Sequence, residues 1–406
     1  MKKIILFLLL LIPLNISALS YPELHYENAI IYDLTDKEVL YEKESAEEKA
    51  IASLTKLMTI ITAIEKVEDQ NISVTYTEEM RSNVAWYASV AGFKVGETYT
   101  FDDLLYGAML PSGADATVAL AFTASGSLDT FVKDMNELAQ KIGMTNSNFV
   151  NVHGLDEDNH YSTAEDLKKL LEYSLQNETF KKVYTTKEYT LSTGKKIEST
   201  VLKQGQKYSL DTSKILGSKT GFTANAGLCI SALMNDENHE IIIITLGAPS
   251  DENIPYNVTD AIELIEFTST NNNYQTIIEP NQFKESIQVN LSTIDKYEIS
   301  SSKEISLYLP VDYNKDDIKI EYIGPKELSY KDKKDTLIGT TNYYYQEKLL
   351  DSEEVYLTIK LEPSYEKLIL LHKDKIIIVI ICVSTIIFVP IILTILKSKR
   401  KSKTHK

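Results

Sequence analysis

Residues 376–396, a run of 21 residues without a charged side chain, limit what this chain can fold into. An α-helix of that length spans about 30 Å, which is the thickness of the hydrocarbon layer of a bilayer. Pro390 lies near one end of the run, where a membrane helix tolerates it. We therefore predict a transmembrane helix over residues 376–396, so that the rest of the chain folds outside the bilayer.

The two ends of the chain carry the features of targeting segments. The N-terminus has Lys2 and Lys3, an apolar run over residues 4–12, and small residues near Ala18 and Ser20, which together predict a signal peptide over residues 1–20. Residues 397–406 contain six Lys or Arg and no acid, and such a flank favours the cytoplasmic side. We therefore expect a single-pass protein whose main body is extracytoplasmic and whose C-terminus is cytoplasmic.

The charge between these ends excludes some functions. Without the eight basic residues of the two ends, 34 basic residues stand against 58 acidic ones, a net charge of −24. A body this acidic repels nucleic acid, so we expect no nucleic-acid partner. The two cysteines and six histidines lack metal-ligand spacing, so we expect no disulfide, metal or cofactor.

The order of the predicted elements indicates an α+β catalytic region followed by a β-rich region. Two strands (28–33 and 38–42) precede helices that we predict at 53–66, 100–109, 114–124, 128–142 and 162–175. Thr100 with Asp103, and Ser162 with Glu165, have the spacing of a capping box at the start of two of these helices. Strands at 228–234 and 240–246 and a helix at 260–269 follow. After residue 276 the pattern favours strands alone, at 287–291, 305–309, 318–323 and 355–360. We expect five segments, namely 1–20, a catalytic domain 21–272, a β domain 276–362, the membrane helix 376–396 and the tail 397–406.

Three short motifs stand in a definite order along the chain. Residues 53–56 read S-x-x-K, residues 112–114 read Ser-Gly-Ala, and residues 219–221 read Lys-Thr-Gly. The first motif alone is weak evidence, because it recurs by chance. The three in this order, each next to a predicted helix or strand, indicate nucleophilic catalysis by a serine.

The chemistry of a serine nucleophile explains these spacings. A hydroxyl needs a base to take its proton, and residues i and i+3 of a helix share a face, so Lys56 can reach Ser53. A lysine acts as a base only when neutral, which requires burial or a second positive charge nearby, such as Lys219. Gly221 lets the backbone approach a ligand, while Thr220 and Thr223 offer hydroxyls for a terminal carboxylate.

The chain resembles the low-molecular-mass D-alanyl-D-alanine carboxypeptidases, the serine peptidases among the penicillin-binding proteins. The resemblance runs from about residue 21 to residue 360 and is carried by residues 51–59, 109–116, 151–155 and 217–223. It implies a β-lactamase-like antiparallel sheet flanked by helices, with a β-rich domain behind it. It also implies peptidoglycan stem peptides as substrates, β-lactam antibiotics as covalent inhibitors, and a place on the bacterial cell membrane.

The resemblance also implies roles for individual residues. Ser53 would be the acylated nucleophile, Lys56 its base, and Ser112 the relay of a proton to the leaving amine. Lys219, Thr220, Gly221, Phe222 and Thr223 would bind the substrate, and the backbone N–H groups of Ser53 and Phe222 would hold the oxyanion.

The sequence departs from the family at two positions. The family usually has Asn where this chain has Ala114, and a methyl group cannot make the hydrogen bond of the amide. The family also favours Pro where this chain has Val152, for which we expect only a local effect on the loop. We expect the neighbouring His153 to be structural rather than catalytic.

Two other functions remain open at this point. A class A β-lactamase shares the nucleophile and the Lys-Thr-Gly motif, but it needs a carboxylate to activate a deacylating water, and no persuasive Glu-x-x-x-Asn element lies between residues 112 and 219. A protein that binds penicillin or peptidoglycan with little catalysis is the second alternative, and Ala114 favours it.

Overall fold

The computed structural model describes residues 21–236 and 239–403, and the side chains up to residue 396. The predicted signal peptide lies outside the described residues. By its internal contacts the chain divides into two units. The first comprises the chain up to Gln275 together with Leu307–Tyr313, and the second comprises Thr276–Ser306 and the chain from Asn314 onward.

The first unit contains the helices α1 (Thr55–Lys66), α2 (Glu78–Ser82), α3 (Phe101–Met109), α4 (Ala114–Ser125), α5 (Leu128–Lys141), α6 (Ala164–Ser174), α7 (Glu178–Thr185), α8 (Thr200–Tyr208) and α9 (Tyr256–Asn271). Its strands are β1 (Asn28–Asp33), β2 (Glu38–Lys43), β3 (Ser73–Thr75), β4 (Thr98–Thr100), β5 (Glu188–Thr190), β6 (Lys196–Glu198), β7 (Gly217–Thr223), β8 (Gly227–Asp236) and β9 (His239–Ala248). A 3₁₀ turn, Ala52–Leu54, precedes α1.

A five-stranded antiparallel sheet in the order β2-β1-β9-β8-β7 forms the centre of the first unit. Successive side chains of a strand point to opposite faces. Ile30 and Tyr32 accordingly join the core that includes α1 and α3–α7, whereas Ala29 and Ile31 join the core formed with α9. Because helices cover both faces, all six residues of β1 are buried, which explains the unbroken apolar runs of the central strands.

From residue 272 onward the strands are β10 (Asn272–Ile278), β11 (Lys284–Asn290), β12 (Lys296–Ser300), β13 (Ile305–Pro310), β14 (Ile318–Ile323), β15 (Glu327–Ser329), β16 (Leu337–Tyr345) and β17 (Lys348–Tyr356). In the second unit, β12-β11-β15 and β14-β16-β17 form two three-stranded sheets. A small apolar core that includes Ile287, Val289 and Leu357 holds this unit together.

The last two helices are α10 (Tyr365–Leu371) and α11 (Lys373–Lys403). Within α11, Lys373–Leu396 is long and apolar enough to cross a membrane, and the other described residues contain no second such helix. Its apolar side chains are exposed, as is expected of a helix that is solvated by lipid rather than by protein.

The α+β class and the β-lactamase-like arrangement predicted from the sequence are confirmed. The capping box of Thr100 and Asp103 is also present. Two local predictions were wrong. The N-cap of α6 is Thr163 rather than Ser162, and the strand expected at 355–360 ends at Tyr356, because β17 pairs with β16 only up to that residue. No pattern that we recognised in the sequence indicated β12, β15 or β16.

Candidate active site

The nucleophile motif lies where the 3₁₀ turn passes into α1. Ser53 is in the turn and Lys56 is in the first turn of α1, so the two side chains share a face as the i,i+3 spacing predicted. Lys56 Nζ lies 2.7 Å from Ser53 Oγ and donates a second hydrogen bond to the carbonyl oxygen of His153 at 2.5 Å. The Lys56 amine is therefore held against the Ser53 hydroxyl by contacts on two sides.

The electrostatic surroundings of Lys56 suit a base. Its side chain is 3% exposed, and burial lowers the pKa of Lys56 to about 7, although the negative charge of Asp115 opposes the shift. A substantial fraction of Lys56 is thus neutral near pH 7 and able to accept a proton.

The turn that carries Ser53 is held by residues distant in sequence. Ala52 has a φ of +47°, an unfavourable value for alanine. Its carbonyl oxygen accepts a hydrogen bond from Thr55 Oγ1, which lies 2.7 Å from His160 Nε2. Since Val150 N–H donates to His160 Nδ1, the proton of the neutral ring is on Nε2 and points at Thr55. Burial lowers the pKa of His160 to about 4, which keeps the ring neutral.

Gly154 allows this turn to pass close to another loop. Its φ is +83°, and a Cβ atom at this position would lie 1.9 Å from the carbonyl oxygen of Ala52. Any other residue would push the nucleophile turn aside. The neighbouring His153 contributes its carbonyl oxygen to Lys56, while burial lowers the pKa of its ring to about 3. The ring of His153 thus stays neutral near pH 7, and the structural role expected for this residue stays a prediction.

The second and third motifs meet across the fold. Lys219 Nζ donates to Ser112 Oγ at 2.8 Å and to the carbonyl oxygen of Thr220 at 2.7 Å. Lys219 is fully buried, and burial together with the charge of Lys56 holds the pKa of Lys219 well below its ordinary value. Ser112 has a φ of +63° and lies in the break between α3 and α4. Backbone strain of this kind is often found at catalytic positions.

A cavity of about 370 Å³ opens at the nucleophile. Of the residues singled out from the sequence, the cavity lining includes Ser53, Lys56, Ala114, Phe222 and Thr223. Ser112, Lys219, Thr220 and Gly221 are not among the lining residues. Thr220 Oγ1 instead lies 2.6 Å from Thr200 Oγ1, and a Cβ at Gly221 would come within 3.0 Å of the backbone nitrogen of Ser53. The structure thus brings the three motifs together but places only part of the predicted substrate-binding set on the cavity surface.

The strand that carries Phe222 and Thr223 is the last strand of the central sheet. On one side β7 pairs with β8, and within the described part of the chain no strand of this sheet lies along its other edge. An edge strand can accept an extended peptide as an additional strand. Thr223 Oγ1 donates to Asp156 at 2.6 Å, which orients the end of β7 at the cavity.

Several residues of the site lie outside the three motifs, although one of them, Asp115, belongs to the stretch 109–116 singled out from the sequence. Asp115 is 2% exposed and accepts hydrogen bonds from the backbone N–H groups of residues 91–93. His160, Tyr87 and Asp156 are likewise site residues that lie outside the three motifs. The signal that could have found Tyr87 is the adjacent Trp86, because two successive large aromatic residues in a segment without helical or strand periodicity are candidates for a binding surface.

Comparison with known proteins identifies related sequences. Residues 15–250 match the family described as D-alanyl-D-alanine carboxypeptidase. The D-alanyl-D-alanine carboxypeptidase DacF of Bacillus subtilis is 28% identical over 327 residues, which are 77% of this chain and 80% of DacF. DacC of Escherichia coli is 31% identical over 233 residues, 55% of this chain and 56% of DacC, so that match spans little more than half of either protein.

Solved structures share the fold. Penicillin binding protein 5 from Haemophilus influenzae superposes with a TM-score of 0.62 at 23% identity, covering 85% of this chain and all of that one. The Streptomyces K15 DD-transpeptidase superposes with a TM-score of 0.55 at 28% identity, covering 61% of this chain and 98% of that one.

Proposed function

This chain belongs to the D-alanyl-D-alanine carboxypeptidase family and is a serine-type carboxypeptidase, and we propose that it removes the terminal D-alanine of peptidoglycan stem peptides through an acyl-enzyme on Ser53. The observation that carries the proposal is the 2.7 Å contact between Lys56 Nζ and Ser53 Oγ at the floor of an open cavity. A buried amine against a hydroxyl is the arrangement that a serine nucleophile needs.

In the acylation step, neutral Lys56 accepts the proton of Ser53 while Oγ attacks the carbonyl carbon of the penultimate D-alanine. The backbone N–H groups of Ser53 and Phe222 stabilise the oxyanion. The C–N bond then breaks, and the leaving amine of D-alanine takes up a proton that Ser112 relays from Lys56. Lys219 supports this relay, because its donated hydrogen bond to Ser112 Oγ leaves the Ser112 proton free to point at the substrate.

In the second step, water attacks the acyl carbonyl and gives a proton to Lys56, and Ser53 leaves with a proton. Burial of Lys219 and of Thr220 places them behind the cavity surface, so we assign Lys219 mainly to the organisation of the site. Phe222 and Thr223, together with the close approach permitted by Gly221, bind the substrate backbone and its carboxylate. β-Lactam antibiotics would acylate the same Ser53.

We also propose the topology and the division of the chain. Residues 21–272 form the catalytic domain and residues 276–362 a β-rich domain, apart from Leu307–Tyr313, which belong to the first unit. Both domains lie on the extracytoplasmic side, after removal of the signal peptide 1–20. Residues 376–396 anchor the protein, and the basic tail 397–406 lies in the cytoplasm. The apolar helix in the structure supports the anchor.

Replacement of the nucleophile tests the proposed function. Ser53→Ala should abolish the covalent adduct with penicillin in intact-mass measurements and stop D-alanine release from a stem pentapeptide. Ser82→Ala, a matched change on the exposed surface of α2, should label and turn over like the wild type. An acyl adduct on the Ser53→Ala variant would show that the nucleophile is assigned wrongly.

A catalytically weak penicillin- or peptidoglycan-binding protein is the second candidate. Ala114 favours it, because this residue lines the cavity and offers no side-chain hydrogen bond. Stable penicillin labelling without D-alanine release would support this candidate. Rapid hydrolysis of penicillin would instead indicate a β-lactamase-like hydrolase.

A further inference from the structure

A second cavity lies in the first unit, apart from the nucleophile. Its volume is about 550 Å³, against about 370 Å³ for the catalytic cavity, and the two cavities share no lining residue. Its walls come from the start of α3, from α7, from β5 and from the segment 70–72 that follows α1. Cavities of several hundred Å³ are typical of small-molecule sites. This cavity therefore has the size of a ligand site that the reaction at Ser53 does not use.

Two tyrosines form an aromatic wall of this cavity. Tyr106 of α3 and Tyr189 of β5 both line it, and their rings stack with centroids 3.9 Å apart and an angle of 13° between the ring planes. Tyr106 is only 3% exposed, yet its hydroxyl has no hydrogen-bond partner among the described residues. A buried tyrosine hydroxyl normally has such a partner. Because Tyr106 lines the cavity, the partner of its hydroxyl has to enter the cavity from solvent.

Hydrogen bonds to α3 hold the other walls in place. Ser192, in the turn after β5, donates its N–H to the buried carboxylate of Asp103 at 3.0 Å, and Ser192 Oγ donates to the same carboxylate. At the start of α3, Phe101 N–H donates to the carbonyl oxygen of Ile72 at 3.1 Å. These bonds tie both β5 and the segment 70–72 to one helix. The cavity is therefore formed before a ligand arrives, which lowers the entropic cost of binding.

The polar groups of the lining suit an uncharged ligand that has many hydrogen-bonding groups. Asp102 and Lys182 both line the cavity, so that one negative and one positive charge offset each other. Gln70 Nε2 donates to the carbonyl oxygen of Ile64 at 3.3 Å, which leaves the amide oxygen of Gln70 available. The side-chain amide of Asn71 makes no hydrogen bond within the described part of the chain. Since an amide both donates and accepts, Gln70 and Asn71 can pair with hydroxyl groups or with another amide.

We propose that this second cavity binds an N-acetylated hexopyranose, the class of sugar from which the glycan strands of peptidoglycan are built. The C–H face of the pyranose ring packs on the aromatic wall of Tyr106 and Tyr189, and the acetamido group pairs with the side-chain amide of Asn71. A ring hydroxyl is the partner of the Tyr106 hydroxyl. The inference goes beyond the proposed function, because the cavity would hold the sugar part of the polymer whether or not Ser53 is the nucleophile.

Sugar titrations of the full-length protein test the site. The detergent should be of the polyoxyethylene type, because the headgroup of a maltoside detergent is itself a sugar. The ligand is tetra-N-acetylchitotetraose, and the comparison is cellotetraose, which has the same pyranose rings but no acetamido group. In isothermal titration calorimetry we expect the acetylated tetraose to bind about two- to tenfold more tightly than cellotetraose, which is the effect of one hydrogen bond.

Two variants and a matched control locate the bound sugar. Tyr189→Ala removes half of the aromatic wall and should weaken binding of the acetylated tetraose about two- to tenfold. Tyr106→Phe keeps the stacked rings and removes only the hydroxyl, so it should weaken binding by a similar factor without lowering the melting temperature. Tyr365→Phe, the same change at an exposed tyrosine of α10, should bind the tetraose like the wild type.

The outcomes separate this site from the proposed function. Acylation of Ser53 by penicillin should leave the affinity for the acetylated tetraose unchanged, because the two cavities share no lining residue. Loss of binding on acylation would place the sugar in the catalytic cavity and overturn the second site. The site would also be overturned by equal affinity for both sugars, by equal affinity in the wild type and both variants, or by no binding up to about 10 mM. Binding of the tetraose without D-alanine release from a stem pentapeptide would support the site and overturn the proposed function.

Discussion

The pH dependence of acylation tests the role of Lys56 most directly. Since burial lowers the pKa of Lys56 to about 7, the neutral fraction is about one tenth at pH 6, one half at pH 7 and nine tenths at pH 8. If Lys56 takes the proton of Ser53, the acylation rate follows this fraction. The rate constant should rise about fivefold from pH 6 to pH 7 and less than twofold from pH 7 to pH 8.

The substitution Asp115→Asn should shift the midpoint of this pH–rate profile in a direction that the charges around Lys56 determine. The negative charge of Asp115 raises the pKa of Lys56, so its removal shifts the midpoint below that of the wild type. The other titratable groups coupled to Lys56 are Lys219, His153 and His160, whose pKa values are all lowered by its charge, and both histidines are neutral at pH 7. Asparagine retains one oxygen for the N–H groups of residues 91–93 and so preserves part of the loop anchor.

Stopped-flow acylation by a fluorescent penicillin, from pH 5.5 to pH 9 at constant ionic strength, measures both midpoints. The ratio of the rate at pH 6 to the rate at pH 8 should be larger in Asp115→Asn than in the wild type, even if both rates fall because the loop is less well held. A wild-type profile that is flat over this range, or that still rises steeply at pH 9, would refute Lys56 as the base. A midpoint that moves upward in the variant would refute the electrostatic argument.

Three further predictions concern Ala114, Gly154 and the membrane topology. Ala114→Asn should raise the rate of D-alanine release about two- to tenfold, because one neutral hydrogen bond to the substrate would be restored. Steady-state kinetics will measure this change, and a loss of activity would mean that the cavity has adapted to alanine. Gly154→Ala should slow acylation of Ser53 and lower the melting temperature, because the new Cβ would lie 1.9 Å from the carbonyl oxygen of Ala52. Penicillin labelling measures the acylation rate and thermal denaturation measures the melting temperature; wild-type values for both would contradict the prediction. Protease added to intact cells should remove the body of the protein and spare the tail, and a reporter fused after Lys406 that is active only outside the cytoplasm would reverse the proposed orientation.

Local sequence patterns were sufficient where the determining contacts are local. Ser53 and Lys56 meet because three residues of helix separate them, and this follows from helical geometry alone. The capping box at Thr100 and Asp103 could be recognised from the same kind of spacing. The apolar run in α11 could be recognised because its length and composition are those of a helix that is able to cross a bilayer.

Elements that depend on distant partners were less predictable. Ser162 and Thr163 are both suitable N-caps by sequence. The backbone of Ser162 pairs with that of the distant Lys49, and Thr163 accepts the capping hydrogen bond from Asp166 N–H. The strands β12 and β15 have only five and three residues, too few for a clear alternating pattern. The nine-residue strand β16 is rich in Thr and Tyr, which favour strands, but its apolar residues show no alternation that we recognised in the sequence. The return of Leu307–Tyr313 to the first unit is a long-range contact that no local pattern encodes.

The sequence by itself therefore marked the candidate catalytic residues, whereas the tertiary structure decided which of them lie in contact and in what surroundings. Residue identity and order marked Ser53, Lys56, Ser112 and Lys219. The contact between Ser112 and Lys219 joins residues 107 positions apart, and it exists only because the sheet brings β7 to the start of α4. The neutral fraction of Lys56 near pH 7 likewise comes from its burial, which lowers its pKa, since an exposed lysine is protonated at neutral pH and cannot accept a proton.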